Sequence, residues 1–381
     1  MDLPFSASAL SPVLPFLSIV KRDALGKPHP IASAQQHLDA AVEWLERAHD
    51  HGEGGGVSYG YSVRGGWRPP YRETSGYIAE TFFDLARAYG RTDLRDRATR
   101  ICQWLCGIQN ADGSISNPDF DPDRGIVFDT GMVLHGLVRG FEETGDPAVL
   151  AAAEKAADWL TTVADGQRRW TRFEHNDTPH VYNTRTAWAL VRLHLLRPTP
   201  AREAVFRANL DWALEQESGG YYKQNAFVTG NAPFTHNIAY AIRGLLESGL
   251  LLKDERYLRA AENSARVVSQ RLRPDGYLPG AIAVDGKPAA GYCCLTGNAQ
   301  MAGIWARLFV TRGGDGLFRR AAIDALRYVM SWQDITTTNL DVRGAIKGSQ
   351  PAWGRYSPLT FPNWATKFFI DAMLMTKDWH R

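Results

Sequence analysis

Six short polar clusters, each running straight into an apolar helical stretch, recur along this chain at near-regular spacing. They start at Ser75, Asp129, Asn183, Asn237, Gly297 and Asn363, with gaps of 54, 54, 54, 60 and 66 residues. A period above 50 is too long for thin solenoid repeats but accommodates an outer helix, a loop and an inner helix. Each such pair leaves apolar faces that only its neighbours can cover. Six units closing into a ring satisfy that need and place every polar cluster at one mouth. The expected fold class is therefore all-α, an (α/α)6 toroid or six-hairpin barrel, spanning residues 31–381 as one domain. Residues 1–30 read as an irregular N-terminal arm.

The periodicity alternates between two helix types. Outer helices, amphipathic, are expected over 34–48, 94–106, 148–163, 201–216, 255–272 and 318–332. Inner helices, apolar over most of their circumference and so buried on most sides, are expected over 78–89, 132–141, 187–195, 238–251, 299–308 and 365–375. Small residues such as Gly131, Gly136, Ala239 and Gly303 let the inner set approach closely. Turns from inner to outer helices are short and marked by glycine. The return connections over 50–72, 110–128, 217–234, 275–292 and 334–362 are long, and long loops in a compact domain usually carry function.

Composition excludes several classes. The 381 residues are 44% hydrophobic, and 43 basic against 41 acidic residues leave a net charge of +2. With no basic run, nucleic acid is not an expected partner. No segment approaches the ~20 apolar residues that span a membrane, and the N-terminus lacks the layout of a signal peptide, so a cytoplasmic protein is expected. The cysteines fall as Cys102/Cys106 and Cys293/Cys294, which is no secreted disulfide framework. Adjacent Cys293 and Cys294 without a CxxC or HxxxH pattern make no convincing zinc set; neither metal nor cofactor is expected. The oligomeric state is left open.

The mouth would be built from helix N-termini, which favour anionic and polar ligands. Ser75, Thr130, Thr184, Thr235 and Thr296 suit simple helix caps, whereas Glu73, Arg185, His236 and Trp364 do not. Glu73 and Asp129 enter adjacent inner helices, whose axes pack at ~8–10 Å. That brings two carboxylates together as glycosidases use them, one as acid and one as base. His236 completes the expected catalytic set. A second grouping, Tyr182, Asn183, Arg185, His236 and Asn237, suits proton abstraction from a uronate, with cationic and amide donors on its carboxylate. Arg72, Tyr77, Asn298, Lys347, Trp353, Asn363 and Trp364 complete the expected substrate-binding set, and Tyr59 and Trp67 add aromatic wall.

At this point the chain resembles known families. The Gln-Asn-Ala-Asp-Gly-Ser run at 109–114 and Asp275-Gly-Tyr277 are similar to helix-end signatures of squalene/hopene-cyclase-like toroids. Glu73-Thr-Ser-Gly-Tyr77, Tyr182-Asn-Thr-Arg185, Thr235-His-Asn-Ile-Ala-Tyr240, Cys294-Leu-Thr-Gly-Asn-Ala-Gln300, Arg343-Gly-Ala-Ile-Lys-Gly-Ser349 and Phe361-Pro-Asn-Trp-Ala-Thr-Lys-Phe368 resemble a family encoded in bacterial capsule, O-antigen and exopolysaccharide gene clusters. Unsaturated glucuronyl hydrolases and several polysaccharide lyases share the toroid, although the acidic-pair motif of the former is absent as written. The resemblance implies a polysaccharide context more than a reaction. The resulting expectation is a glycoside hydrolase acting on an acidic bacterial oligo- or polysaccharide. A uronate lyase or C5-epimerase and a non-catalytic glycan-binding protein stand behind it.

Overall fold

In the computed structural model the described residues are 16–119, 121–314 and 316–380. They form thirteen α-helices. Helix α1 (Leu17–Ala24) precedes six outer helices: α2 (Ala34–Asp50), α4 (Thr92–Ile108), α6 (Pro147–Thr162), α8 (Pro200–Glu215), α10 (Glu255–Ser269) and α12 (Leu317–Ser331). Alternating with them are six inner helices: α3 (Arg72–Tyr89), α5 (Val127–Thr144), α7 (Thr184–Leu196), α9 (Thr235–Leu252), α11 (Leu295–Arg312) and α13 (Asn363–Met375). Each inner helix packs on the next around an axis, and α13 returns to α3 and to the first outer helix α2, which closes the ring. The fold is an (α/α)6 toroid.

Glycines set the spacing of the inner ring. A Cβ added at Gly136 of α5 would lie 2.2 Å from the carbonyl oxygen of Gly76 in α3, and one at Gly76 would lie 2.4 Å from Met132 O. These helices therefore touch backbone to backbone. Gly244 meets Thr184 and Arg185 in the same way, and Gly297 meets Thr235 and His236. A second glycine series joins the outer wall. Gly113, Gly276 and Gly344, all at positive φ, abut the carbonyls of Lys155, Asp324 and Ala40 on the following outer helix. The last contact joins the loop after α12 to α2. The Ala-Asp-Gly and Asp-Gly-Tyr signatures are thus joints between hairpins.

Several expectations change. The inner helices start two to six residues earlier than their apolar patterns, so most of the polar clusters lie inside the first turn. Three of the hydroxyls expected as caps, on Ser75, Thr130 and Thr235, pin loops instead. Ser75 Oγ donates to Tyr71 O at 2.7 Å and accepts from the Val57 amide at 2.9 Å. Thr130 Oγ1 likewise donates to Ile126 O at 2.7 Å and accepts from Ile115 at 2.9 Å. The first two long loops are thereby tied to the helices that follow them. The arm expected to be irregular over 1–30 contains α1; residues 1–15 lie outside the described set. Asp23 near the end of α1 accepts from Lys347 Nζ at 2.6 and 2.7 Å and from the Ala352 amide at 2.7 Å. A buried carboxylate needs such partners, and the pair fastens the arm over the last long loop. No helix among the described residues is long and apolar enough to cross a membrane.

Because α3 and α5 meet without side chains between them, Gly136→Ala must push them apart. Overpacking of this kind costs about 1–3 kcal/mol or more. Urea denaturation should show the midpoint of Gly136→Ala well below that of the wild type, while Gly107→Ala, where an added Cβ meets nothing within 4 Å, should be nearly neutral.

Candidate active site at the N-terminal mouth

The N-terminal ends of the inner helices surround a cavity of about 290 Å³, at the small end of the roughly 300–1,000 Å³ usual for small-molecule sites. Its wall is largely aromatic: Tyr59, Tyr71, Tyr77, Phe128, Phe234, Tyr240, Tyr356 and Trp364 all contribute. Trp364 packs edge-on to Tyr59 at 4.7 Å and donates its indole N–H to the Tyr356 hydroxyl at 2.7 Å. The polar groups on this wall include Glu73, His175, His236, Arg355 and Ser357. Rings in that number with a few convergent polar groups suit the mixed apolar and hydroxyl faces of a sugar.

Glu73 is the second residue of α3, where the helix dipole favours a carboxylate. Burial outweighs that effect. Removal from water, reinforced by the charge of Asp129, pushes its pKa up to about 8, against the smaller lowering influence of His175. Glu73 is therefore a protonated acid at neutral pH. Asp129, third in α5, lies one layer deeper than expected. It is fully buried and absent from the cavity wall, and neither carboxylate oxygen has a hydrogen-bond partner among the described residues. His175 Nε2 stands 3.6 Å from Asp129 Oδ1. Burial opposes a charge on His175, but its link to Asp129, with Glu73 and Glu174 beyond, prevails and raises its pKa. Adjacent Glu174 is buried, and desolvation, against the smaller lowering influence of Asn183, drives it too up to about 8.

The loop carrying Glu174 and His175 holds Phe173, Asn176 and Asp177 at positive φ. Non-glycine residues adopt that region at a cost, and such residues gather at functional sites. Asn176 fastens the loop by donating to Phe227 O at 2.7 Å, and Asp177 pairs with Arg124. The sequence reading passed over this segment. The signal was available, because the repeat requires a long connection before every inner helix and the third one contains a Glu-His pair. Arg355, exposed on the rim without an ion pair among the described residues, was also missed.

Of the expected site residues, Glu73, Tyr77, His236 and Trp364 come together in the cavity, with Asp129 behind. His236 donates from Nδ1 to Gln300 Oε1 at 2.7 Å, and burial takes its pKa down to about 3. The remaining expected residues, Tyr59 apart, do not line this cavity. Arg72 donates to Ser116 Oγ at 2.8 Å and holds the next loop. Asn298 donates to Gly276 O and Ala325 O at 3.1 Å, and Asn363 to Ser58 O at 2.7 Å; both serve the frame. Lys347 is committed to Asp23. Tyr182, Asn183 and Asn237 are buried behind the wall, Tyr182 stacked on His180 at 4.6 Å. Arg185 faces away from the mouth, toward the middle of the axis. Trp353, 47% exposed, lines an adjoining surface hollow that shares Phe234 and Arg355 with the cavity. Trp67 stacks on Trp44 and His51, outside the cavity. Cys294 accepts from the Gly297 amide at 3.3 Å and caps α11 through sulfur. Among the described residues no cluster of three or more His, Cys, Asp or Glu has the arrangement of a metal site.

No protein-family model matches the chain, and no curated protein matches it by sequence. Solved structures do match it in fold. The chain is similar to an unsaturated glucuronyl hydrolase from Bacillus sp. GL1, with TM-score 0.71 and 15% identity over 91% of this chain and 97% of that one. It is also similar to the cellobiose 2-epimerase of Bacillus thermoamylovorans B4167, with TM-score 0.69 and 11% identity over 95% and 99%. A polysaccharide lyase matches at TM-score 0.63 and 11% identity over 91% and 98%. These likenesses establish the toroid.

The mutual influence of the buried charges is measurable. In carbon-detected NMR of labelled glutamate side chains, Glu73 should titrate near pH 8. Asp129→Asn, which removes a like charge, should lower that midpoint, and His175→Gln, which removes an opposing one, should raise it.

Proposed function

We propose that this protein is a glycan-active hydrolase for an acidic bacterial oligo- or polysaccharide, working at the N-terminal mouth of the ring. One observation carries the reading: a carboxylic acid kept protonated at neutral pH by burial and by a neighbouring carboxylate, placed on an aromatic-walled cavity. Glu73 donates its proton to the leaving glycosidic oxygen as the bond to the anomeric carbon breaks. Water adds to that carbon, and its proton is taken up by the Asp129–His175 pair, of which His175 reaches the cavity wall. Tyr59 and Trp364 offer faces to the sugar ring. His175 and Arg355 supply positive charge for an acidic substituent. The choice of an acidic glycan draws on the resemblance to polysaccharide gene-cluster proteins. It also draws on the Bacillus sp. GL1 neighbour, an enzyme responsible for degradation of glycosaminoglycan.

Proton abstraction as in a lyase or epimerase has one observation in its favour, an unprotonated His236 on the cavity wall. A pKa of about 3 makes it a weak base, and Arg185, the expected carboxylate neutraliser, lies elsewhere. Hydrolysis is the better reading.

Incubation with acidic bacterial polysaccharides, followed by reducing-end and ultraviolet assays, tests the choice. Hydrolysis should release reducing ends without an absorbance that grows from a new double bond. Glu73→Gln should reduce the rate about 10²–10⁴-fold, the range general acid catalysis contributes. Since the active form carries a protonated Glu73, activity should fall as pH rises through about 8. Growing absorbance would transfer the reaction to elimination, and turnover unaffected by Glu73→Gln would remove Glu73 from the chemistry.

A further inference from the structure

A second cavity, of about 450 Å³, occupies the other half of the ring axis. It opens at the C-terminal ends of the inner helices, where Asp84, Ala88 and Lys377 on its lining are exposed. Its walls are apolar along Ala239, Ile304, Phe368 and Met375. The two cavities stand back to back. Tyr77 and Tyr240, whose hydroxyls are 3.3 Å apart, lie on the mouth side, and His236 on that side is bonded to Gln300 on the other.

Six cations line this cavity against three carboxylates, and most of them are accounted for. Carbonyl-rich helix C-termini favour positive charge, and the arginines near them have partners. Arg139 pairs with Asp84 at 2.7 Å, Arg192 with Glu80 and with Glu142 at 3.1 Å, Arg243 with Glu247 at 2.8 Å, and Lys367 with Asp371. Arg185 is different. It is the second residue of α7, far from any helix C-terminus, and only 3% exposed. Its guanidinium lies 5.0–5.5 Å from the rings of Tyr77, Trp188, Tyr240 and Phe368. Among the described residues its side chain makes one hydrogen bond, from Nε to Met132 Sδ at 3.2 Å. Among the described residues no carboxylate pairs with it and neither Nη has an acceptor. Ring faces offset part of the charge, but a buried guanidinium is otherwise expected to hold an anion through its paired N–H groups. Gln300 adds an amide group on the same wall.

We propose that this cavity is a second ligand site, which binds a small oxyanion, a carboxylate, sulfate or phosphate group, on Arg185 with Gln300 beside it. The apolar wall accommodates the body that bears the anion, and Lys377 at the exposed rim adds positive charge along the way in. The site is separate from the mouth that carries Glu73 and does not depend on the reaction proposed there.

Thermal melting and calorimetric titration of the intact protein with sodium glucuronate, phosphate and sulfate, at constant ionic strength, test the assignment. At least one of the three should raise the melting temperature of the wild type and of Glu73→Gln alike. Arg185→Met should weaken binding by about 10–100-fold, as loss of a charged hydrogen-bond partner does, and should itself melt higher than wild type without added anion, because a buried unpaired charge has gone. Gly303→Leu supplies an independent check: an added Cβ there meets nothing closer than 3.7 Å, so a larger side chain can enter the cavity and should abolish binding in a folded protein. A preference for glucuronate would identify a carboxylate-bearing sugar as the ligand class, and a preference for phosphate or sulfate an ester. Equal stabilisation of wild type, Arg185→Met and Gly303→Leu, or no binding of any of the three anions, would overturn the proposal.

Discussion

Everything at the N-terminal mouth depends on the backbone contact between the first two inner helices. Gly76 and Gly136 let α3 and α5 meet with no side chain between them, and the first turns of both helices are then forced together. Those turns carry Glu73 and Asp129. A carboxylate in the first turn of an exposed helix would be stabilised by the helix dipole; here two of them share a volume from which water is largely excluded. Desolvation and mutual repulsion outweigh the dipole, and Glu73 holds its proton. The acid chemistry follows from the packing.

Ring closure extends the same logic. Glycines after the outer helices press on carbonyls of the next hairpin, and the last of them, at Gly344, joins the end of the ring to α2. With the frame fixed in this way, the long loops build the mouth, and Ser75 and Thr130 bind the first two of them to the helices they precede. The inner helices are apolar enough to bury on all sides, yet the axis is not filled. Two cavities remain, divided by Tyr77, Tyr240 and the His236–Gln300 bond, and their linings differ. One presents the acid Glu73 and aromatic faces, the other a cation for which no counter-charge lies among the described residues.

The fold was legible in the sequence because it is periodic. Apolar stripes at a regular interval can be counted, and the small residues between them state how near the helices come. Helix starts were less legible, since polar first turns resemble caps until the loop amides they accept from are located. The site was legible where residue type conflicted with position, as at Glu73, His236 and Trp364. It was not legible where depth decides the role. Lys347 and Arg185 are both cations beside aromatic residues, but Asp23, more than three hundred residues away, neutralises one and nothing comparable neutralises the other. Asn298 and Asn363 carry the same amide as a sugar-binding residue and spend it on backbone carbonyls. Glu174 and His175 were missed because their segment carries no helical period; the repeat calls for a connection there, and the strained backbone around its Glu-His pair sets it apart.

The central claim is that a sugar is held at the N-terminal mouth with Glu73 against its leaving oxygen. The most direct measurement is a crystal structure of Glu73→Gln soaked with an acidic oligosaccharide. The account predicts a sugar ring against Tyr59 or Trp364, with the substituted side chain within hydrogen-bond distance of a glycosidic oxygen and the acidic group near His175 or Arg355. An oligosaccharide bound away from this cavity, or one seated in it with no glycosidic oxygen near position 73, would contradict it.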